Sequence, residues 1–78
     1  MRISVELIAV RSPLVGEGGA LDVEDGATVA RVLERLALPG GESYMTIVNG
    51  TSIGPGDRED AALSDGDAVT VFPPIKGG

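Results

Sequence analysis

Apolar and polar residues alternate along residues 1–10, which is the pattern of a half-buried β-strand. One face carries Ile3, Val5, Leu7 and Ala9, and the other carries Arg2, Ser4, Glu6 and Ile8. A second, shorter strand is predicted over residues 20–24, where Leu21 and Val23 share a face. Because the intervening residues 11–19 are rich in glycine and contain a proline, they predict a loop that closes a hairpin.

An amphipathic helix is predicted after the hairpin. Its apolar residues recur at the spacing of a single helical face, at Val29, Val32, Leu33 and Leu36. Thr28 is the predicted N-cap, because its hydroxyl can accept a hydrogen bond from an otherwise unpaired backbone N–H. Pro39 and the two glycines after it are predicted to end the helix, since proline cannot continue it and glycine adopts the left-handed conformation common at helix ends.

The second half of the chain predicts two more full strands and one short strand. Residues 44–49 run into Asn49-Gly50, a strong signal for a two-residue turn, after which residues 51–53 can pair briefly. Residues 55–62 are polar and predicted to be irregular, and Leu63 supplies an apolar contact. The last strand is predicted over residues 68–72, because the two prolines that follow cannot donate ladder hydrogen bonds.

The order of these elements predicts the fold class. Strand, strand, helix, strand, short strand, strand is the order of an α+β roll of the β-grasp type, with one main helix packed across a mixed sheet of four to five strands. Parallel pairing of the first and last strands at the sheet centre would explain why both are apolar. We expect a β-grasp domain over residues 1–72 and a flexible, extended tail over residues 73–78.

Composition narrows the range of functions. A chain of 78 residues is one small domain. It contains no Cys and no His, which excludes a thiol nucleophile, a Ser/His/Asp triad and the usual zinc and iron–sulfur ligand sets. We therefore expect no metal and no intrinsically bound cofactor, and little catalysis by the chain's own side chains.

The charge balance and the hydropathy also exclude two classes of partner, nucleic acids and membranes. Twelve acidic and six basic residues give a net charge of -6, whereas a nucleic-acid binder needs a basic surface. No apolar run approaches the roughly 20 residues that cross a bilayer, and no export signal precedes the first strand, so we expect a cytoplasmic protein without a membrane partner. Asp57, Glu59 and Asp60 either form a solvated acidic face or meet a basic partner surface.

The carboxyl-terminal segment is the most distinctive candidate for chemistry. It reads Phe72, Pro73, Pro74, Ile75, Lys76, Gly77 and Gly78. A stiff spacer precedes two residues without side chains, so a narrow enzyme cleft can grip the backbone and bring the Gly78 carboxylate to the phosphorus of ATP. The other interpretation is an inert glycine-rich terminus. Lys76, the only lysine, is either a solvated charge or a contact for an acidic groove.

The whole chain resembles the small ubiquitin-like sulfur carriers, which include the small subunit of molybdopterin synthase and the thiamine sulfur carrier. Three segments carry the resemblance, namely Val48-Asn49-Gly50, Leu63-Ser64-Asp65-Gly66-Asp67, and the terminal run from Phe72 to Gly78. Phe72-Pro73-Pro74 ahead of the diglycine is most similar to the molybdopterin synthase small subunit.

This resemblance implies a function. The Gly78 carboxylate would be adenylated by a ubiquitin-activating-like adenylyltransferase that uses MgATP, then converted by a sulfur donor protein into a thiocarboxylate. The tail would insert into the large synthase subunit, where the thiocarboxylate donates sulfur. Gly77 would leave room around Gly78, and the inserted stem would comprise Pro73, Pro74, Ile75 and Lys76, with Phe72 at its base.

Other functions remain compatible with the same sequence. The carrier can serve thiamine, tungsten-cofactor or another pathway. The same activated carboxylate can form isopeptide bonds with lysines of target proteins, as a ubiquitin-like modifier does. An interaction module with an inert tail is the third option, and it predicts activity that survives removal of Gly77 and Gly78.

Overall fold

The computed structural model of the chain describes residues 1–10, 12–38 and 44–73. Within these ranges, five strands form one sheet, and an α-helix covers one of its faces. The elements are β1 (Arg2–Leu7), β2 (Ala20–Asp22), α1 (Val29–Leu36), β3 (Met45–Val48), β4 (Thr51–Ile53) and β5 (Ala68–Phe72), with short 3-10 turns at Glu17–Gly19 and Pro55–Asp57. The strand order β2-β1-β5-β3-β4 confirms the predicted β-grasp fold.

The first and last strands lie side by side at the sheet centre, as predicted. β1 and β5 are parallel, with Ser4 opposite Ala68 and Leu7 opposite Val71. The other pairs, β1 with β2, β3 with β5 and β3 with β4, are antiparallel. Since β5 has a hydrogen-bonded neighbour on each side, the chain after Phe72 leaves from the middle of the sheet and not from an edge.

The core lies between α1 and the inner face of the sheet. Its most deeply buried apolar residues are Ile3, Val5, Val29, Val32, Leu36, Val69 and Val71. Leu63 also belongs to this core, in agreement with the apolar contact predicted for it. Two polar residues are buried beside it, and each donates to a backbone carbonyl: Thr46 to Ile53, at 2.9 Å, and Arg58 to Tyr44. The Thr46 hydroxyl and one terminal nitrogen of the Arg58 guanidinium are therefore satisfied by hydrogen bonds within the interior.

The start of α1 agrees with the sequence prediction. The Thr28 hydroxyl accepts a hydrogen bond from the backbone N–H of Arg31 at 3.2 Å. The segment before β5 satisfies two further backbone N–H groups of the first helical turn. Val29 donates to the Ala61 carbonyl, and Ala30 donates to the Arg58 carbonyl. The helix amino terminus is thus capped by a side chain and by neighbouring backbone.

The end of α1 differs from the prediction. Ala37, and not a glycine, adopts the left-handed conformation, with φ of 49° and ψ of 42°, and its N–H donates to the Leu33 carbonyl. The predicted stop at residues 39–41 lies outside the described residues. The sequence carries no signal for this end of the helix, because alanine is a strong helix former and glycine is the usual residue in a left-handed helix cap.

The end of the first strand also differs from the prediction. β1 ends at Leu7 and not at residue 10, because Ala9 has a positive φ of 61° and breaks the extended backbone. By contrast, the Asn49-Gly50 turn forms as predicted: both residues have positive φ, 49° and 85°, and they join β3 to β4. Asparagine and glycine are the residues that tolerate this turn best.

Ala37→Gly is expected to raise the free energy of unfolding by about 0.5 to 1 kcal/mol, because glycine removes the steric cost of a left-handed alanine. Chemical denaturation checks this. Ala30→Gly within α1 is the matched control and should lower stability by about 1 kcal/mol. Equal losses in the two variants would show that Ala37 is not left-handed in solution.

Candidate functional site

The predicted site begins where β5 ends. Of its seven residues, the structure describes Phe72 and Pro73. The other five, namely Pro74, Ile75, Lys76, Gly77 and Gly78, lie outside the described residues, so their predicted roles remain predictions. The structure therefore shows the surface at the end of β5, where the tail begins.

Phe72 lies on the face of the sheet opposite the helix. Val69 and Val71 of β5 are buried in the core, so the alternation of side chains along the strand places Phe72 on the other face. It is half-buried and is not a member of the core cluster. Phe72 therefore lies at the surface, outside the core.

The strand register places three apolar residues near Phe72 on this open face. Met45 is its direct partner across the β3–β5 pair, and Ile47 follows two residues later on the same face of β3. Ile8 is level with Phe72 on the other side, since the Ile8 N–H donates to the Val71 carbonyl at 2.9 Å. Met45 is 42% exposed and Ile8 46% exposed. We call these four residues, Ile8, Met45, Ile47 and Phe72, the open-face patch.

The sequence alone indicated two members of this patch, but it did not show that they lie side by side. Ile8 already fell on the polar side of the first alternating pattern, and Phe72 fell opposite the two buried valines of the last strand. Met45 gave no such signal, because β3 carries apolar residues on both faces. Only the pairing of β5 with both β1 and β3 brings the members together.

Beside β2 the open face carries charged side chains. Arg2 and Asp22 face each other across β1 and β2, with the Arg2 Nε donating to an Asp22 carboxylate oxygen at 2.9 Å. This hydrogen bond and the positive charge of Arg2 hold the pKa of the Asp22 carboxyl below its ordinary value. Glu6 lies further along β1 and is exposed. The open face is thus charged beside β2 and apolar around the base of the tail.

Two sequence motifs, Val48-Asn49-Gly50 and Leu63 to Asp67, hold β5 in this position. Asn49 bridges from the β3–β4 turn to the start of β5: its side-chain oxygen accepts from the Ala68 N–H at 2.9 Å, and its side-chain amide donates to Asp67 at 3.0 Å. The second carboxylate oxygen of Asp67 accepts from the Ser64 N–H at 2.8 Å. Both motifs therefore act structurally, by locking the turn before β5 to the turn after β3.

The same turn is also bonded to β1. The Arg2 N–H donates to an Asp65 carboxylate oxygen, and the Arg2 carbonyl accepts from the Gly66 N–H, both at 2.8 Å. The Ser4 N–H donates to the Asp67 carbonyl at 2.9 Å. Gly66 has a φ of 87°, which suits glycine at this turn. The start of β5 is consequently tied to both of its neighbours in the sheet.

Within residues 1–10, 12–38 and 44–73, no cluster of three or more potential ligand side chains is placed to hold a metal ion. In that part of the chain, no helix has the length and apolar character needed to cross a membrane.

The fold and the patch define the class of protein: a ubiquitin-like β-grasp domain whose central strand leads into a diglycine segment. The chain matches the ThiS family over residues 5–78, and it belongs to that family of ubiquitin-like sulfur carriers. Members of the family generally work with adenylyltransferases and sulfurtransferases. No curated protein shows significant sequence similarity to the chain.

A solved structure supports the fold independently. The crystal structure of SAMP1 from Haloferax volcanii superposes with a TM-score of 0.65, at 24% sequence identity, and the match covers 100% of both chains. At this identity the similarity establishes the shared fold. The family resemblance and the fold inferred from the sequence are both confirmed.

The network around Asp67 predicts a pH dependence of stability. The backbone N–H of Ser64 and, secondarily, the Asn49 amide hold the pKa of the Asp67 carboxyl below its ordinary value of 3.8. A lowered folded-state pKa means that the carboxylate stabilises the fold above the ordinary value, and that this stabilisation is lost as pH falls through the folded-state pKa.

Asp67→Asn should therefore melt several degrees below the unmodified chain at neutral pH, and the gap should narrow as pH falls below about 4. Thermal melts followed by circular dichroism across this range check the effect. Asp60→Asn is the control, because Asp60 takes part in none of the side-chain hydrogen bonds or ion pairs of the described residues. A pH-independent gap for Asp67→Asn would contradict the assignment.

Proposed function

We propose that the chain is a sulfur carrier whose Gly78 carboxylate is adenylated and then converted to a thiocarboxylate. The observation that carries this proposal is the ThiS-family match, which continues through the tail to Gly78. The proposal is also supported by the position of β5, which directs the chain out of the sheet centre beside the open-face patch.

The proposed chemistry needs no side chain of the carrier itself. The Gly78 carboxylate oxygen attacks the α-phosphorus of MgATP held by the activating enzyme, so that pyrophosphate leaves and an acyl adenylate forms. A persulfide of a sulfur donor protein then attacks the acyl carbon and displaces AMP. Reduction of the resulting sulfur–sulfur bond by a thiol releases the thiocarboxylate. The absence of Cys and His from the sequence is compatible with this division of labour.

The open-face patch is the proposed contact surface for the activating enzyme. An enzyme that holds Pro74 to Gly78 must approach the end of β5, and the nearest apolar surface there is formed by Phe72, Met45 and Ile8. Burial of such side chains supplies the affinity that a backbone-gripped glycine tail cannot supply alone. The stem residues Pro73, Pro74, Ile75 and Lys76 would enter the cleft.

Within this function, we propose the small subunit of molybdopterin synthase as the specific role. The supporting feature is Phe72-Pro73-Pro74 before Gly77-Gly78, which resembles that branch of the carriers most. The large synthase subunit would then receive the tail and carry the catalytic side chains. A carrier for thiamine or for another pathway uses the same carboxylate chemistry and differs only in the acceptor.

Protein modification is the second candidate function. An acyl adenylate reacts with an amine as well as with a sulfur nucleophile, and attack by a target lysine gives an isopeptide bond with release of AMP. The shared fold with SAMP1 favours keeping this candidate. Diglycine remnants on lysines of other proteins after trypsin digestion, lost when Gly77 and Gly78 are deleted, would identify it.

The deciding experiment is the intact mass of the chain isolated from its own host, before and after treatment with a thiol-alkylating reagent. Because the sequence has no Cys, a sulfur-for-oxygen increment that becomes alkylated and maps to Gly78 is expected only for the thiocarboxylate. A chain without Gly77 and Gly78 is the control. An unmodified carboxylate that persists after incubation with ATP and host extract would contradict the carrier function.

Met45→Asp should raise the KM for adenylation about tenfold or more, because it removes a buried contact of the order of 1.5 kcal/mol and places a charge in the interface. ATP–pyrophosphate exchange with the host's activating enzyme measures this. Leu14→Asp is the matched control, since Leu14 is 47% exposed in the loop after β1. Equal effects of the two substitutions would show that the patch is not the contact surface.

A further inference from the structure

A second surface lies on the helix side of the molecule, away from the open-face patch. It is a groove of about 650 Å³ between α1 and the segment around the Pro55–Asp57 turn. Ala30 and Leu33 line one wall, Pro55 and Gly56 the other, and Glu34 and Glu59 stand at the rim. A hydrogen bond from the Ala30 N–H to the Arg58 carbonyl, at 3.1 Å, joins the two walls of the groove.

The charges around this groove are unbalanced. Arg31 pairs with Glu24 at 3.6 Å and with Glu34 at 2.7 Å, so Glu34 is largely compensated. Arg58 is buried beneath the groove and donates to the Tyr44 carbonyl. None of the ion pairs among the described residues involves Asp57, Glu59 or Asp60. These three exposed carboxylates outnumber the single positive charge of Arg58, which also lines the groove, so the rim is net negative beside the apolar side chains of Ala30, Leu33 and Pro55.

Other acidic residues of the chain have structural roles that these three carboxylates lack. Asp22 pairs with Arg2, while Asp65 and Asp67 accept backbone hydrogen bonds that hold the sheet together. The carboxylates of Asp57, Glu59 and Asp60 have no such structural role among the described residues, and their mutual repulsion disfavours the fold slightly. Their concentration beside an apolar groove matches the chemistry of a basic, partly apolar ligand.

We propose that this groove docks a basic segment of a partner protein. One apolar side chain of the segment packs between Leu33 and Pro55, and flanking lysine or arginine side chains pair with Glu59 and Asp57. Because α1 and the open face lie on opposite sides of the sheet, this contact and a contact at the open-face patch are compatible in one complex. The proposal concerns a separate surface and does not depend on the chemistry at Gly78.

The test uses the full chain and a short probe peptide in which one leucine is flanked on each side by two lysines. Backbone amide shifts in a 15N-labelled sample should saturate at Ala30, Leu33, Gly56 and Glu59, while Thr70 on the open face should not respond. A matched peptide with serine in place of leucine should bind several-fold more weakly. Raising the ionic strength from about 0.02 to about 0.3 M should weaken binding strongly.

Two double variants complete the test. Asp57→Asn with Glu59→Gln should weaken peptide binding about threefold or more, as expected for two exposed charge pairs. Glu6→Gln with Asp25→Asn removes the same charge elsewhere and should leave binding unchanged. Deleting Gly77 and Gly78 should also leave it unchanged, which separates this proposal from the function at Gly78. Equal losses in both double variants, equal binding of the serine peptide, or saturating shifts on the open face would overturn the proposal.

Discussion

The insertion of β5 between β1 and β3 is the constraint on which the rest of the structure depends. Parallel pairing of β1 with β5 brings the two ends of the chain's described part into one sheet, and it places Val69 and Val71 against the helix. A parallel pair at the centre of a sheet needs cover on its apolar face, and α1 provides it. The segment after Phe72 therefore starts from a rigid, fully paired strand.

The hydrogen bonds at the start of β5 show how a short, glycine-rich chain keeps this register. Asn49, Asp65 and Asp67 supply side-chain acceptors and donors that tie the turn before β5 to β1 and to the β3–β4 turn. In so small a domain, a few such bonds are a sizeable fraction of the net stability. Two of the three segments that carry the family resemblance, Val48-Asn49-Gly50 and Leu63 to Asp67, are thus explained by architecture, because they fix the position of β5.

The molecule divides into two surfaces of different chemistry. The open face presents an apolar patch around Phe72, next to the paired charges of Arg2 and Asp22. The helix side presents a groove with an acidic rim. Because α1 packs on the face of the sheet opposite the patch, the two surfaces can be contacted at the same time.

Local pattern was sufficient for much of this architecture. Alternation of apolar and polar residues predicted β1, β2 and β5. The Asn49-Gly50 turn and the Thr28 cap follow from backbone chemistry, and the diglycine is visible in the sequence. What only the tertiary structure decided is non-local. The left-handed conformation of Ala37 is one example, since its residue type favours the right-handed helix. The open-face patch joins Ile8, Met45 and Phe72, which are distant in sequence and become neighbours only through strand register, and register depends on packing across the whole sheet.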